Sequence, residues 1–162
     1  ADDMAMSLNL LWDDDRIDNR KIYSAGWSLG GTASLFNAWL PLQEALNKPG
    51  ASFAGYLMWY PGCLALPDLN SWDEDLMQIY IGEEDNWTPP QPCKELVTQI
   101  NGDGGNAYIE LYPNSFHSFD GPMPLRLIPD AYSWANCKLK LNGETKKVYD
   151  SNNASLDVSD PQ

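Results

Sequence analysis

Ile22-Tyr23-Ser24-Ala25-Gly26-Trp27-Ser28-Leu29-Gly30-Gly31 joins a short apolar run to a helix-patterned segment through a turn of glycines around a serine. Ile22 to Ala25 reads as a strand that ends at Gly26. From Leu29 to Leu46 the residues Ala33, Leu35, Phe36, Trp39, Leu42, Ala45 and Leu46 fall at three and four spacing, which predicts a helix. Pro41 inside it predicts a kink or an early stop. The pentapeptide Gly26 to Gly30 matches G-x-S-x-G at a strand-to-helix turn, where glycines allow close approach and the serine hydroxyl is pushed above the sheet edge. The helix N-terminus there favours developing negative charge. Ser28 is therefore the candidate nucleophile, and the backbone N–H of Leu29 the natural first oxyanion donor. Such a pentapeptide also arises in ordinary turns, so its weight comes from its surroundings.

Working outward, residues 2 to 12 carry Met4, Met6, Leu8, Leu10 and Leu11 behind two aspartates, which fits a helix. Residues 13 to 21 form a charged connection. Ser52 to Tyr60, bounded by Lys48-Pro49-Gly50 and Pro61-Gly62, reads as a buried strand, and Asp75 to Gly82 as another. Gln91 to Ile100 predicts a helix stopped by Asn101-Gly102, and Ala107 to Tyr112 a strand stopped by Pro113-Asn114. Alternation of this kind is the pattern of a parallel sheet with crossover helices. Pro122-Met123-Pro124 breaks the chain, and Leu125 to Leu139 has room for one more helix, interrupted near Pro129. Residues 1–141 then form the catalytic portion, and 142–162 a polar, loosely ordered tail.

Nucleophilic catalysis by serine needs a base and an acid to orient it. His117 is the one histidine of the chain, and it follows a predicted strand, where a loop side chain can reach over the sheet edge. The acid is expected after a strand between the other two, and Gly82-Glu83-Glu84-Asp85-Asn86-Trp87-Thr88-Pro89 supplies three carboxylates there. Asp85 is the candidate, with Glu84 as the alternative and Glu83 read as a solvated turn carboxylate. Ser28, Asp85 and His117 are separated by 57 and 32 residues, so they can meet only in space. Trp27, Trp59, Trp87 and Phe116 adjoin these segments, either as the wall of an apolar or aromatic acyl pocket or as core.

Composition excludes several classes. The 162 residues carry a net charge of −13, the wrong sign for a surface that binds nucleic acid phosphates. The most apolar run, 53–60, is strand-sized, far short of the roughly 20 residues that span a bilayer. The chain therefore reads as soluble, and no basic-then-apolar leader opens it. Cys63, Cys93 and Cys137 lack metal-ligand spacing. They are read either as one disulfide plus a thiol or as three reduced cysteines, and the compartment stays unassigned. Neither a metal nor an organic cofactor is implied.

Taken together, Arg16-Ile17-Asp18, Gly26-Trp27-Ser28-Leu29-Gly30-Gly31, Tyr60-Pro61-Gly62-Cys63, Ile81 to Pro89, and Tyr112-Pro113 with His117-Ser118-Phe119-Asp120 resemble the dienelactone hydrolase family over roughly residues 1 to 140. The resemblance implies an α/β-hydrolase-like, mostly parallel sheet with flanking helices. It also implies hydrolysis of a small-molecule ester or lactone by Ser28, Asp85 and His117. Two departures stand out. The founding members use a cysteine nucleophile where this chain has Ser28, so a broader carboxylic-ester hydrolase is expected. Family members also have several strands before the serine turn, including the loop that gives the second oxyanion N–H, and these are absent here. The chain thus looks like a fragment. Those strands are expected from a second chain that completes the sheet, are replaced by the N-terminal segment, or are missing. The rival expectation is a non-catalytic, truncated hydrolase-like domain that binds a ligand or a partner chain.

Overall fold

The computed structural model describes residues 1–67, 71–129, 133, 137, 139–142, 145, 147–150 and 152–156. In chain order the elements are α1 (Asp2–Trp12), β1 (Ser24–Trp27), α2 (Leu29–Asn37), α3 (Leu40–Leu46), β2 (Gly55–Trp59), β3 (Ala65–Pro67), β4 (Leu76–Gly82), α4 (Pro90–Gly102), β5 (Ala107–Tyr112), β6 (Leu139–Leu141), β7 (Val148–Tyr149) and β8 (Ser155–Leu156). The principal sheet has the order β1-β2-β4-β5 and is parallel throughout. Helices make the crossovers from β1 to β2 and from β4 to β5, as parallel neighbours require.

The period of two along each strand separates the faces of this sheet. Ser24, Gly26, Tyr56, Met58, Met77 and Ile79 are buried. They belong to the side where α2 packs on β1 and β2 and α4 on β4 and β5. On the other side the register brings Trp27 opposite Trp59 and Trp59 opposite Tyr80. Their rings stack in a row at 4.8 and 4.9 Å, the spacing of adjacent strands. That face is more open, with Ala25, Trp27, Tyr108 and Glu110 exposed.

Several elements differ from expectation. The first strand starts at Ser24, two residues later than Ile22, and runs through Trp27. The helix expected over 29–46 is two helices, parted at Ala38 and Trp39. Pro41 has no N–H to return to the preceding turn, so it takes up the first turn of a new helix instead. Buried Trp39 bridges to Trp72 at this break. A second sheet, β3-β6-β7-β8, was not expected. Its last two strands lie in the stretch read as a loosely ordered tail. Of the helix expected over Leu125 to Leu139, residues 125–129 are not helical, and most of the remainder falls outside the described residues.

The N-terminal segment adds no strand to the sheet. It is α1, packed on α2 and α3 with Leu8 fully buried and the Asn9 side-chain amide donating to the Leu46 carbonyl at 2.9 Å. Among the described residues, β2 is the sole strand partner of β1. No described helix is long and apolar enough to cross a membrane.

Candidate active site

Ser28 stands between β1 and α2 with φ 51° and ψ −116°, a conformation that residues with a side chain rarely adopt. The flanking glycines make it feasible. A Cβ on Gly26 would lie 2.2 Å from the backbone carbon and oxygen of Gly30, and one on Gly31 would lie 2.9 Å from the Trp59 carbonyl oxygen. The turn is tied to the sheet because Ser28 N–H donates to the Trp59 carbonyl at 2.9 Å. Helix α2 begins at Leu29, so the Leu29 N–H is one of the first-turn donors with no partner inside the helix. The Leu29 side chain is exposed.

Asp85 follows β4. Its Oδ1 accepts the backbone N–H groups of Trp87 and Thr88, both at 2.9 Å, which folds 85–88 around the carboxylate. The other oxygen, Oδ2, lies 2.8 Å from His117 Nδ1. The side chains of both residues are buried, that of Asp85 completely. A buried carboxylate requires such partners. Because a carboxylate can only accept, this contact places the imidazole proton on Nδ1 and leaves the Nε2 lone pair directed at Ser28 Oγ, 2.9 Å away. Glu83 and Glu84 are exposed, so the carboxylate beside His117 is that of Asp85.

Three residues to which the sequence reading gave no role complete the surroundings of His117. The Tyr60 ring lies 4.5 Å from the imidazole. Its hydroxyl donates to Asp120 Oδ1 at 2.7 Å, and Trp27 Nε1 donates to Asp120 Oδ2 at 2.7 Å. Asp120 therefore ties the His117 loop to β1 and to the end of β2. Burial, reinforced by the bond to Asp120, pushes the Tyr60 hydroxyl up to about 12. The third residue is Thr88, whose hydroxyl reaches both the Asp85 carboxylate and the His117 ring. The signals for these roles in the sequence were an aromatic residue at the end of a strand and polar residues three positions beyond Asp85 and His117.

The aromatic residues named from sequence part company here. Trp87 meets His117, with ring centroids 5.1 Å apart. Trp27 and Trp59 belong to the stacked row on the sheet. Phe116 is partly buried, and among the described residues the rings that meet His117 are those of Tyr60 and Trp87. Of the two cysteine readings, the structure has the disulfide, Cys63 to Cys93, with Cys137 a free thiol. It joins the loop after Tyr60 to the first turn of α4, just beyond the Asp85 loop.

No family model matches the sequence, and no curated protein is significantly similar to it. Solved structures do resemble it. Thermogutta terrifontis esterase 2, phosphoramylated by tabun, aligns over 73% of this chain and 54% of its own, with a TM-score of 0.59 at 15% identity. The carboxylesterase Cest-2923 from Lactobacillus plantarum WCFS1 aligns over 72% of this chain and 54% of its own, with a TM-score of 0.58 at 14% identity. Esterase PE8 gives 71%, 51%, 0.55 and 14% in the same order. The chain spans about half the length of these esterases and has the α/β-hydrolase fold.

Proposed function

We propose that this chain is the catalytic portion of a serine carboxylic-ester hydrolase that works through Ser28, His117 and Asp85. The observation that carries this reading is the unbroken run from Asp85 Oδ2 to His117 Nδ1 at 2.8 Å and from His117 Nε2 to Ser28 Oγ at 2.9 Å. Nε2 takes the hydroxyl proton as Oγ attacks the ester carbonyl carbon, and the Leu29 N–H receives the developing oxyanion. Asp85 steadies the imidazolium, which then protonates the departing alcohol. Water, activated by the same imidazole, releases the acid from the acyl-serine. The Tyr60 and Trp87 rings beside the imidazole favour an apolar or aromatic acyl group.

A small ester or a lactone is the substrate class. The resemblance of the ordered motifs to dienelactone hydrolases suggests the lactone beside the simple ester; a lactone opens by the same steps with its alcohol still attached. Serine at position 28 sets the chain apart from the cysteine-dependent members. The test is hydrolysis of p-nitrophenyl acetate by the purified chain. Ser28→Ala and His117→Ala are each expected to lower kcat/KM by about a thousandfold or more. One of the structurally similar esterases is phosphoramylated by tabun, which suggests a fluorophosphonate as the second probe. It is expected to label the unaltered chain and not Ser28→Ala. A folded chain that is neither active nor labelled would exclude the hydrolytic reading.

A second reading rests on the open edge of β1, which has β2 as its one strand partner among the described residues. A second chain pairing along that edge would complete the sheet and bring the other oxyanion donor. In the non-catalytic form of this reading, the chain binds a ligand or that partner chain and performs no hydrolysis. Self-association of an unlabelled, folded chain in sedimentation would favour it.

A further inference from the structure

We propose that Thr88 is a positioning residue that holds the His117 ring in register with Asp85, a role that rests on the hydrolytic reading above. Thr88 Oγ1 lies 3.1 Å from Asp85 Oδ2, 3.1 Å from His117 Nδ1 and 3.1 Å from the Tyr60 carbonyl oxygen. Nδ1 and Oδ2 are themselves 2.8 Å apart. One hydroxyl proton and one ring proton serve this triangle and the carbonyl beside it.

The hydroxyl proton has three directions available. Pointed at the Tyr60 carbonyl, it leaves an Oγ1 lone pair facing Nδ1, so the ring proton is shared between Thr88 and Asp85. Pointed at Oδ2, it gives the carboxylate a further donor beyond the two amides on Oδ1, and a lone pair again faces Nδ1. Pointed at Nδ1, it would require a bare ring nitrogen 2.8 Å from a carboxylate oxygen, a contact of two acceptors with no proton between them. Both workable arrangements keep the proton on Nδ1 and the lone pair on Nε2, where Ser28 Oγ waits. Without the hydroxyl, Asp85 alone holds the ring.

Thr88 is well built for this. Its own N–H is bound to Asp85 Oδ1 at 2.9 Å, so the hydroxyl and the carboxylate move together. A β-branched side chain also has few rotamers through which the hydroxyl could be lost. Through the Tyr60 carbonyl it links the acid loop to the residue whose ring lies against the imidazole.

The experiment compares this chain with Thr88→Val, which keeps the shape and removes the hydroxyl, and with Thr88→Ser, which restores it. His117 is the sole histidine, so imidazole ¹⁵N and ¹H resonances report on it without overlap. The unaltered chain and Thr88→Ser are expected to show one Nδ1–H tautomer with a downfield, slowly exchanging proton. Thr88→Val is expected to lose that downfield, slowly exchanging signal, because the ring then moves more freely against Asp85 and its Nδ1 proton exchanges with water. With p-nitrophenyl acetate its kcat is expected to fall about 10- to 100-fold, with KM little changed, and Thr88→Ser to recover most of that loss. If Thr88→Val does not fold, Thr88→Ala is read in its place. An unchanged Nδ1–H signal in the folded hydroxyl-free variant, or its loss in Thr88→Ser, overturns the proposal. The spectrum does not depend on turnover. An inactive chain with a hydroxyl-dependent Nδ1–H signal would retain the role of Thr88 and exclude hydrolysis, whereas an active chain indifferent to the hydroxyl would do the reverse.

Discussion

At Gly82 the absence of a side chain sets how closely the acid strand and the His117 loop can approach. A Cβ there would lie 2.1 Å from the carbonyl oxygen and 2.6 Å from the carbonyl carbon of Ser115. The same carbonyl accepts the N–H of Glu84 at 3.0 Å, so the loop has no room to yield without losing that bond. Gly82→Ala is therefore expected to push the loop off the strand, displacing His117 two residues later. A misplacement of about 1 Å typically costs about 100-fold in rate, and overpacking of this kind about 1–3 kcal/mol of stability. Parallel measurements of kcat/KM and the urea midpoint check both, with Gly102→Ala as the control. Gly102 ends α4, and nothing lies within 4 Å of its Cβ position, so that change should leave both measurements intact. At this scale the sequence was most legible where chemistry restricts residue type. G-x-S-x-G named Ser28 as the candidate nucleophile, and His117, the one histidine, was the candidate base. Thr88, Tyr60 and Asp120 escaped because their significance lies in partners distant along the chain. Thr88 meets Tyr60 across 28 residues, and Trp27 meets Asp120 across 93.

Between elements, the disulfide from Cys63 to Cys93 closes a loop with a sequence separation of 30. In the chain-entropy account, opening a loop of that length costs about 3–4 kcal/mol of stability. The double substitution Cys63→Ala and Cys93→Ala is expected to lower the unfolding free energy by about that amount, read from urea unfolding. A change below about 0.5 kcal/mol would mean that the unfolded chain gains little freedom when the bridge is removed. The bridge also fastens the Tyr60 loop to the helix that follows Asp85 and Thr88, so thermal inactivation of the variant should precede that of the parent. From the sequence, one disulfide plus a thiol was one of two readings and no pair was named, since cysteine positions do not show which thiols approach. The same limit applies to the secondary structure. Strand β5 has the bounds that its apolar run and the following Pro113-Asn114 predicted. Strand β3 is three residues long and is defined by pairing with β6, from Ala65 with Leu139 to Pro67 with Leu141. No local pattern announces a partner so remote. The break between α2 and α3 was legible from Pro41, which lies in the first turn of the new helix, whereas the bridge of buried Trp39 to Trp72 beside it was not.

For the molecule as a whole, the charge of −13 and two buried phenols define an alkaline limit. Tyr56 and Tyr60 lie at opposite ends of β2, an inner strand of the principal sheet. Tyr56 donates to Asp73 Oδ2 at 2.8 Å, while the Gln43 side-chain amide donates to both groups. Burial, followed by the charge of Asp73, drives the Tyr56 hydroxyl far above its ordinary value, and burial with the bond to Asp120 raises Tyr60 to about 12. An unfolded tyrosine ionises near pH 10, so above that pH the unfolded chain releases protons that the folded chain retains. The stability is thus fully present below about pH 10 and falls as pH rises, over pH 10–12 for Tyr60 and further still for Tyr56. Growing negative charge adds to this loss, because the compact state confines charges of one sign. Urea midpoints measured from pH 8 to pH 11.5 should decline beyond pH 10, and Tyr60→Phe should decline less steeply than the parent. That variant cannot ionise at position 60, although it begins lower at pH 8 for want of the bond to Asp120. Equal slopes in parent and variant would mean that Tyr60 ionises in the folded state as readily as in the unfolded one. The packing of its ring on His117 would then have to survive a phenolate beside the Asp120 carboxylate.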